Sequence, residues 1–363
     1  MNRENSAPFV DYPLLSVILM LCGISLIVLY SAGGENLDQL AKHAIRAGFA
    51  LCLMLVVSRI PPAILARYSL HIYLSGLGLL FIVLAVGFIG KGAQRWLDLG
   101  ILRFQPSEIM KIGVPMMVAW LLTRSTLPPR PLFLLLSVIA VLLPTVLIIL
   151  QPDLGTALLI ALTGIVVIFV AGMSWKLIVS VVVLLCAAAP VMWAFVLHDY
   201  QRRRVLTLFD PWSDPLGAGY HTIQSIIAIG SGGIQGKGWL SGTQSQLEFI
   251  PERSTDFIFA VYAEEFGLVG ALVLLVLYLF LILRGLAIAF YAQDTYSRLL
   301  AAGLTATFFF YVFVNIGMVS GILPVVGVPL PLLSYGGTSM VTLMIGFGIL
   351  MSISRDKTYL VGR

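Results

Sequence analysis

The sequence predicts an all-α polytopic membrane protein, and two observations carry that prediction. Of the 363 residues, 59% are hydrophobic and 11% are charged, whereas about a quarter of the residues in a soluble domain are charged. Apolar runs also follow one another from residue 14 to residue 354 with no soluble block between them. We therefore predict one integral membrane domain that covers residues 1–363.

Each apolar run that is long enough to cross a bilayer predicts one helix, because the hydrocarbon core takes about 20 residues in helical conformation. Ten predicted spans result: 14–32, 44–60, 69–89, 107–123, 131–150, 154–171, 175–197, 256–283, 297–320 and 337–354. The first span follows Arg3, Glu4 and Asp11 and lacks a small-residue cleavage site, which favours a retained span over a signal peptide.

The distribution of Lys and Arg predicts that both termini are cytoplasmic, because cytoplasmic segments carry the excess of positive charge. On this assignment the cytoplasmic segments hold Arg3, Arg59, Arg67, Arg124, Arg130, Lys176, Arg284, Arg298, Arg355, Lys357 and Arg363. The short opposite loops hold Lys42, Lys91, Arg95 and Arg103. The long loop 198–255 between the seventh and eighth spans adds five basic residues, which weigh less because long translocated loops count little in this rule. Three extracytoplasmic connections are then informative, 90–106, 198–255 and 321–336, because such long connections are usually functional.

Cysteine usage and net charge exclude other classes of protein. Cys22, Cys52 and Cys186 all lie in apolar runs without metal-ligand spacing, so they predict neither disulfides nor a metal site. The formal charge of +5 comes from basic residues scattered through membrane-flanking turns. This pattern favours orientation in a membrane over binding to nucleic acid.

Ionisable residues inside the apolar spans predict a polar cavity, because such residues are costly in lipid and usually mark a functional site. With the predicted topology, the charged residues of the helices that run inward lie in the outer half of the membrane. They are Arg46, Glu108, Lys111, Asp256, Glu264 and Glu265. The sequence therefore predicts a cavity that opens outward.

Several of these residues also have a purely structural interpretation. Glu108 and Lys111 are spaced i, i+3 and can neutralise each other on one helix face. Asp153 can cap the helix that follows it, and Asp256 can be a helix-start acid. Glu264 lies about 12 Å further along the same helix as Asp256, which favours a buried, hydrogen-bonded support.

Two segments of the long loop suggest phosphate binding without specifying it. Residues 230–238 are rich in glycine, but Ser231 and Gly238 break the Walker pattern, so an ordinary flexible turn is the better interpretation. Lys237 and the backbone amides of this turn can still meet a pyrophosphate. The cluster Arg202, Arg203 and Arg204 fits lipid headgroups and a lipid diphosphate equally well.

Residues 223–229 are too short to span the membrane and predict a surface helix beside which a lipid substrate can lie.

Five motifs resemble the SEDS family (shape, elongation, division and sporulation), and the resemblance covers essentially the whole chain. They are residues 91–96 (KGAQRW), 104–108 (FQPSE), 151–156 (QPDLGT), 249–259 (FIPERSTDFIF) and 327–337 (GVPLPLLSYGG). Residues 315–324 (NIGMVSGILP) are more similar to the elongation branch than to the division branch. The resemblance implies a ten-helix fold in the bacterial inner membrane and polymerisation of lipid II into glycan strands. It also implies partners: a class B penicillin-binding protein that supplies transpeptidation, and other membrane proteins of the elongation complex.

The resemblance also implies a catalytic residue. The acid of the family's Pro-Glu-x-x-Thr-Asp motif is the catalytic candidate, and here it is Asp256. Many relatives carry His where this chain has Ser254, so a histidine base two residues upstream is excluded.

Glycosyl transfer with inversion needs a base for the acceptor hydroxyl and positive charge for the departing diphosphate. We predict Asp256 as the base and Lys111 and Arg253 as further substrate-binding cations. The low dielectric of the cavity and either cation would set the pKa of Asp256. The predicted diphosphate ligands are Arg46, Arg202, Arg203, Arg204 and Lys237. No dedicated metal cluster is visible in the sequence, so a divalent cation (Mg or Mn) would bind together with substrate.

Two other classes of function compete with the enzyme. A lipid II flippase would also need polar groups in a membrane cavity, but the predicted charges crowd the outer half and leave the cytoplasmic half apolar. A non-catalytic scaffold of the wall-synthesis complex would leave Asp256 as a helix cap.

Overall fold

The computed structural model describes most of the chain. The described residues are 10–90, 93–98, 103–173, 175–176, 179–180, 183, 187, 190, 192–196, 202, 206–215, 217, 219–250 and 252–356.

Six long helices and a small sheet form the first half of the described chain. The helices are α1 (Tyr12–Ala32), α2 (Leu37–Val57), α3 (Pro62–Val86), α4 (Ser107–Leu122), α5 (Pro131–Leu150) and α6 (Leu154–Val170). The strands β1 (Phe88–Gly90), β2 (Ala93–Asp98) and β3 (Arg103–Phe104) lie between α3 and α4.

The second half contains two short helices and three long ones. A π-helical turn (Met192–Val196) and a 3₁₀ turn (Pro211–Ser213) precede them. The helices are α7 (Tyr220–Ser231), α8 (Thr243–Gln246), α9 (Ile258–Phe290), α10 (Thr295–Val319) and α11 (Thr338–Asp356).

Seven of the described helices, α1, α2, α3, α5, α9, α10 and α11, are long and apolar enough to cross a bilayer, and α6 is a shorter apolar helix. With α4, nine of the ten predicted spans have a helical counterpart in the described residues. The remaining one, 175–197, falls largely outside them. The chain is thus a mostly helical, multi-pass membrane protein.

The predicted starts of the second and third spans were wrong by about two helical turns. Helix α2 begins at Leu37 instead of residue 44, and α3 begins at Pro62 instead of residue 69. The first turns of α2 contain the charged residues Asp38 and Lys42. A span predicted from an apolar run stops before such residues, although they can belong to the helix. Helical hydrogen bonding is satisfied in water and lipid alike, so these helices continue beyond the apolar stretch.

The fold is mostly helical, as predicted, and one connection adds three short strands. The connection after α3 forms a three-stranded antiparallel sheet in the order β1-β2-β3, with Ile89 opposite Gln94 and Leu97 opposite Phe104. Pairing satisfies the backbone of a connection that no helix continues. Two side chains of this hairpin, Trp96 and Phe104, lie at the site described below.

Helix α10 is the most buried of the seven candidate spans. A Cβ on its Gly303 would meet Val167 of α6 and Pro115 of α4, so the missing side chain allows the three helices to approach closely. Buried residues run along α10 from Tyr296 to Val319, and they include Asn315.

Helix α9 is broken at Gly267, whose φ is 65° and ψ is −163°. The break frees backbone groups that the glycine-rich segment 233–238 satisfies. Four hydrogen bonds join them: Lys237 N to Glu264 O at 3.0 Å, Gly238 N to Glu265 O at 3.0 Å, Leu268 N to Gly233 O at 2.9 Å, and Val269 N to Ile234 O at 3.1 Å.

Glycine is required on both sides of this backbone pairing. A Cβ on Gly236 would overlap the carbonyl oxygen of Glu265, and a Cβ on Gly267 would overlap the backbone nitrogen of Gly236. Both residues also have positive φ, which side chains disfavour. The segment 230–238 contains the expected turn at 232–235: its first two residues end α7, and the residues that follow are held to α9 by these hydrogen bonds.

Candidate active site

Asp256 lies in the turn that precedes α9, and its side chain is half-buried. The helix begins two residues later, at Ile258, and its N-cap is Phe257, whose side chain makes no capping hydrogen bond. The carboxylate lies beside Gly327, where a Cβ would stand 3.4 Å from Oδ2. The absence of a side chain at position 327, together with its φ of 72°, lets the loop approach the carboxylate closely.

Residues 327–337, which we call the SYGG loop, are docked along the turn that carries Asp256. The amide of Asn315 donates to the carbonyl oxygens of both Asp256 and Val328. Ser334 Oγ donates to Thr255 O at 2.6 Å, and Tyr335 N donates to Ser254 O at 2.8 Å. These bonds fix the turn and the loop as one unit.

The opposite side of the SYGG loop is held by α1 and α2. Ser25 Oγ donates to Leu333 O at 2.8 Å and lies 2.9 Å from His43 Nε2. Because the single hydroxyl proton of Ser25 goes to Leu333, His43 donates through Nε2. The SYGG loop is thus held by α1 and α2 on one side, and by α10 and the turn before α9 on the other.

A cavity of about 970 Å³ lies on the far side of this loop. It is bounded by α2, α3, α4, α11 and the hairpin, and most of its lining is apolar. The lining residues are Ile45, Arg46, Phe49, Val57, Ile60, Leu65, Ile72, Trp96, Phe104, Glu108, Ile109, Ile112, Met116, Gly337, Thr338, Val341, Thr342, Ile345 and Ile349. Asp256 is not among them; the SYGG loop reaches the cavity at Gly337 and the Asp256 carboxylate at Gly327.

Arg46 lies where the cavity meets the SYGG loop. Its guanidinium carbon is 5.0 Å from the ring centroid of Tyr335, a cation–π arrangement, and its side chain passes beside Gly337. The side chain is exposed. Among the predicted diphosphate ligands that the structure describes, Arg46 is the one that lines this cavity.

Glu108 and Lys111 form the predicted i, i+3 ion pair, with 2.6 Å between Oε1 and Nζ. Both side chains are 5% exposed. Lys111 also donates to the Tyr311 hydroxyl and lies 4.7 Å from the centroid of that ring. The prediction that Lys111 meets substrate finds no support in this arrangement, because its ammonium points to Tyr311 and away from the large cavity.

Glu264 is fully buried and surrounded by hydrogen-bond donors. Its carboxylate accepts from Ser231 Oγ (3.4 Å), Lys237 Nζ (2.7 Å), Thr243 Oγ1 (3.1 Å), Gln244 N (3.0 Å) and Ser245 N (3.3 Å). The prediction of Lys237 as a diphosphate ligand is at odds with this geometry, because its ammonium already serves as the counter-ion of Glu264. The neighbouring Glu265 accepts from Ser31 of α1.

Asp153 caps α6, since its Oδ1 accepts from Thr156 N at 3.2 Å. Its Oδ2 accepts from Gln105 Nε2 at 3.0 Å, and Arg95 Nη1 lies 3.9 Å from its Oδ1. Arg95 also donates to the carbonyl oxygen of Gln151. The carboxylate therefore fastens the hairpin to the start of α6.

The remaining predicted cations have backbone or acidic partners. Arg253 donates to Ser245 O and forms an ion pair of 2.9 Å with Glu248 beside a surface pocket of about 330 Å³. Arg202 donates to Ala194 O at 2.9 Å. Arg203 and Arg204 lie outside the described residues. In the part of the chain that the structure describes, no group of three His, Cys, Asp or Glu residues could hold a metal ion.

Sequence reasoning assigned no role to Asn315, Ser334 or His43. Asn315 is a polar side chain inside the predicted span 297–320, and such residues mark functional positions as ionisable ones do. This signal could have found Asn315, whereas His43 lies just before the predicted span 44–60. Ser334 has no comparable signal, because a serine in a loop is common.

The fold is a multi-pass membrane bundle in which one loop contacts both a half-buried carboxylate and a large, mostly apolar cavity. Comparison with known proteins identifies its family. The family model FtsW/RodA/SpoVE, described as cell cycle protein, matches residues 12–359. The chain belongs to this family and is a peptidoglycan glycosyltransferase of the RodA type.

Individual relatives match over nearly the full length. The peptidoglycan glycosyltransferase MrdB of Escherichia coli K12 is 55% identical over 350 residues, which covers 96% of this chain and 95% of that protein. The probable peptidoglycan glycosyltransferase FtsW of Geobacter sulfurreducens is 36% identical, with 95% of both chains covered.

Two solved structures share the fold. A chain of a peptidoglycan synthase complex, studied for its coordination of polymerisation and crosslinking, superposes with a TM-score of 0.84 at 34% identity and covers 96% of this chain and 98% of its own. The rod shape determining protein RodA of Thermus thermophilus gives a TM-score of 0.73 at 30% identity with the same coverage.

Proposed function

We propose that this chain polymerises lipid II on the outer face of the bacterial cytoplasmic membrane, with Asp256 as the general base. The observation that carries the proposal is a half-buried carboxylate fixed in a hydrogen-bonded turn, with a large apolar cavity behind the adjoining loop.

The cavity suits a lipid-linked diphosphate. Its volume of about 970 Å³ and its aliphatic lining fit part of a polyprenyl chain, for which burial of apolar surface is favourable. Arg46 lies at the end nearest the SYGG loop and can bind the diphosphate by charge-assisted hydrogen bonds. The sugar would then face the loop and the turn that carries Asp256.

The chemistry follows from these positions. The acceptor hydroxyl oxygen attacks the anomeric carbon of the donor, and the bond from that carbon to the diphosphate oxygen breaks with inversion. Asp256 takes the hydroxyl proton, and the electron pair of the broken bond stays on the diphosphate. Arg46 stabilises the charge that develops there, and a Mg or Mn ion bound together with the substrate would share this role.

The proposal includes a topology and partners. Ten spans with both termini cytoplasmic place Asp256 and the long loop 198–255 on the periplasmic side. The class B penicillin-binding protein is proposed as partner because a chain of a peptidoglycan synthase complex shares this fold. Other membrane proteins of the elongation complex would bind the same assembly.

Purified lipid II tests the proposal, with the chain reconstituted in vesicles together with its partner. We expect Asp256→Asn to abolish glycan strands. The matched control is Asp294→Asn at the N-cap of α10, where asparagine caps as well as aspartate and activity should persist. Full polymerisation by Asp256→Asn would remove this residue from the mechanism. Loss of lipid II flipping with intact polymerisation would favour a transporter. If the variant lost neither flipping nor polymerisation, a scaffold would be favoured.

A further inference from the structure

We infer that Asn315 is a positioning residue for the reaction, which sets the direction of the Asp256 carboxylate by holding the main chain on both sides of it. The inference rests on the proposed role of Asp256.

The amide group of Asn315 is completely buried near the outer end of α10. Its Nδ2 donates to Asp256 O at 2.8 Å and to Val328 O at 2.7 Å. An amide nitrogen has two hydrogens, so both are used. The orientation of the group is fixed, because a flipped amide would place Oδ1 against two carbonyl oxygens.

These two bonds hold the backbone on two sides of the Asp256 carboxylate. Val328 follows Gly327, and Gly327 is the residue beside which Asp256 Oδ2 lies. The Asn315 side chain therefore holds two backbone carbonyls: that of Asp256, and that of Val328, the residue after Gly327, which the Asp256 carboxylate approaches. The direction of the carboxylate is set through the backbone, and Asn315 occupies neither carboxylate oxygen.

A second tie runs parallel to the first. Ser334 Oγ accepts from Leu330 N at 2.7 Å and donates to Thr255 O at 2.6 Å. This bond joins the same loop to the residue before Asp256. Ser334 can therefore be changed independently of Asn315 to loosen the same turn.

Catalysis should be more sensitive to this clamp than substrate binding. A displacement of about 1 Å of a reacting group can lower a rate about 100-fold. The apolar cavity, where most of the lipid would bind, lies on the other side of the SYGG loop and includes neither Asn315 nor Asp256. The clamp should thus act on kcat and leave KM nearly unchanged.

The variant Asn315→Asp, assayed in the complex with its partner on purified lipid II, tests the inference. The new oxygen faces two carbonyl oxygens that it cannot bond when ionised, while the size of the side chain is kept. We expect kcat to fall about 100-fold with KM within about threefold. The control is Thr307→Val on the same helix, which removes a buried hydroxyl that donates to Gly303 O and lies 3.2 Å from Thr163 Oγ1, and it should leave both constants close to wild type.

A double variant separates positioning from a general loss of folding. If Asn315 acts through Asp256, then Asp256→Glu, which keeps a carboxylate but displaces it, should lower the activity of Asn315→Asp much less than it lowers the activity of wild type. If Asn315→Asp fails to fold, Ser334→Ala takes its place, and we expect it to show the same pattern with a smaller fall in kcat. A folded Asn315→Asp with wild-type kcat, or effects that multiply independently, would overturn the inference. An active Asp256→Asn would instead overturn the proposed function itself.

Discussion

Glu264 and Glu108 are both buried carboxylates paired with a lysine, and their surroundings differ. Glu264 accepts five hydrogen bonds, two of them from backbone amides. Glu108 accepts one from Lys111, and its Oε2 has no hydrogen-bond partner among the described residues. Glu108 also lines the large cavity.

The difference indicates what each carboxylate does. A buried polar group is normally satisfied, so complete satisfaction of Glu264 identifies a support for the loop that packs on α9. Oε2 of Glu108 is buried without a hydrogen-bond partner among the described residues, which is costly for folding, and Glu108 is also among the residues that line the cavity. Two carboxylates of similar burial thus differ in how completely their hydrogen bonds are satisfied.

The largest expected effect is on Glu264. Glu264→Met should lower the free energy of unfolding by about 3–5 kcal/mol, because the backbone amides of Gln244 and Ser245 lose their acceptor. Adding Lys237→Met should not restore the loss, since Lys237 is 26% exposed and can turn to water. Thermal unfolding in detergent measures both. Recovery in the double variant would mean that the ion pair, and not the amides, holds the loop.

A somewhat smaller effect is expected at Gly236, in the segment that Glu264 fastens. Gly236→Ala should lower stability by roughly 2–4 kcal/mol, because the new Cβ overlaps Glu265 O and forces the repaired break of α9 apart. Gly230→Ala is the matched control: nothing lies within 4 Å of its Cβ, and it is helical. Unchanged unfolding of Gly236→Ala would contradict the close backbone pairing.

The smallest effect on stability is expected for the pair on α4. Replacement of both Glu108 and Lys111 by Met should lower stability by no more than about 2 kcal/mol, because apolar residues of similar volume often replace a buried ion pair without loss. Lipid II polymerisation should nevertheless fall at least about tenfold, since Glu108 lines the cavity proposed to bind the lipid and the replacement removes its carboxylate. A stable double variant with wild-type activity would make Glu108 as structural as Glu264.

Much of the fold was predictable from local composition. Nine predicted spans have helical counterparts, and α5 has the predicted bounds of 131 and 150. The errors occurred where apolarity stops being informative, at the polar first turns of α2 and in the hairpin after α3. A run of apolar residues locates the lipid-facing part of a helix but not its ends.

The candidate site was less predictable, because its cations found partners that the sequence does not reveal. Lys237 is bound by Glu264, which is 27 residues away in the chain, and Lys111 is bound by Tyr311, which is 200 residues away. Asp256 and Arg46 were predicted individually, but nothing in the sequence places a loop between them.

The sequence by itself determined that this chain is a membrane protein, where most of its helices lie and which charged residues enter them, since these properties depend on each residue's own transfer free energy. Tertiary structure alone decided which of those charges are satisfied, how a glycine-rich segment repairs α9, and how Asn315 holds the turn of Asp256. Hydrogen bonds depend on the positions of two groups at once, and residues distant in sequence acquire those positions only when the helices pack.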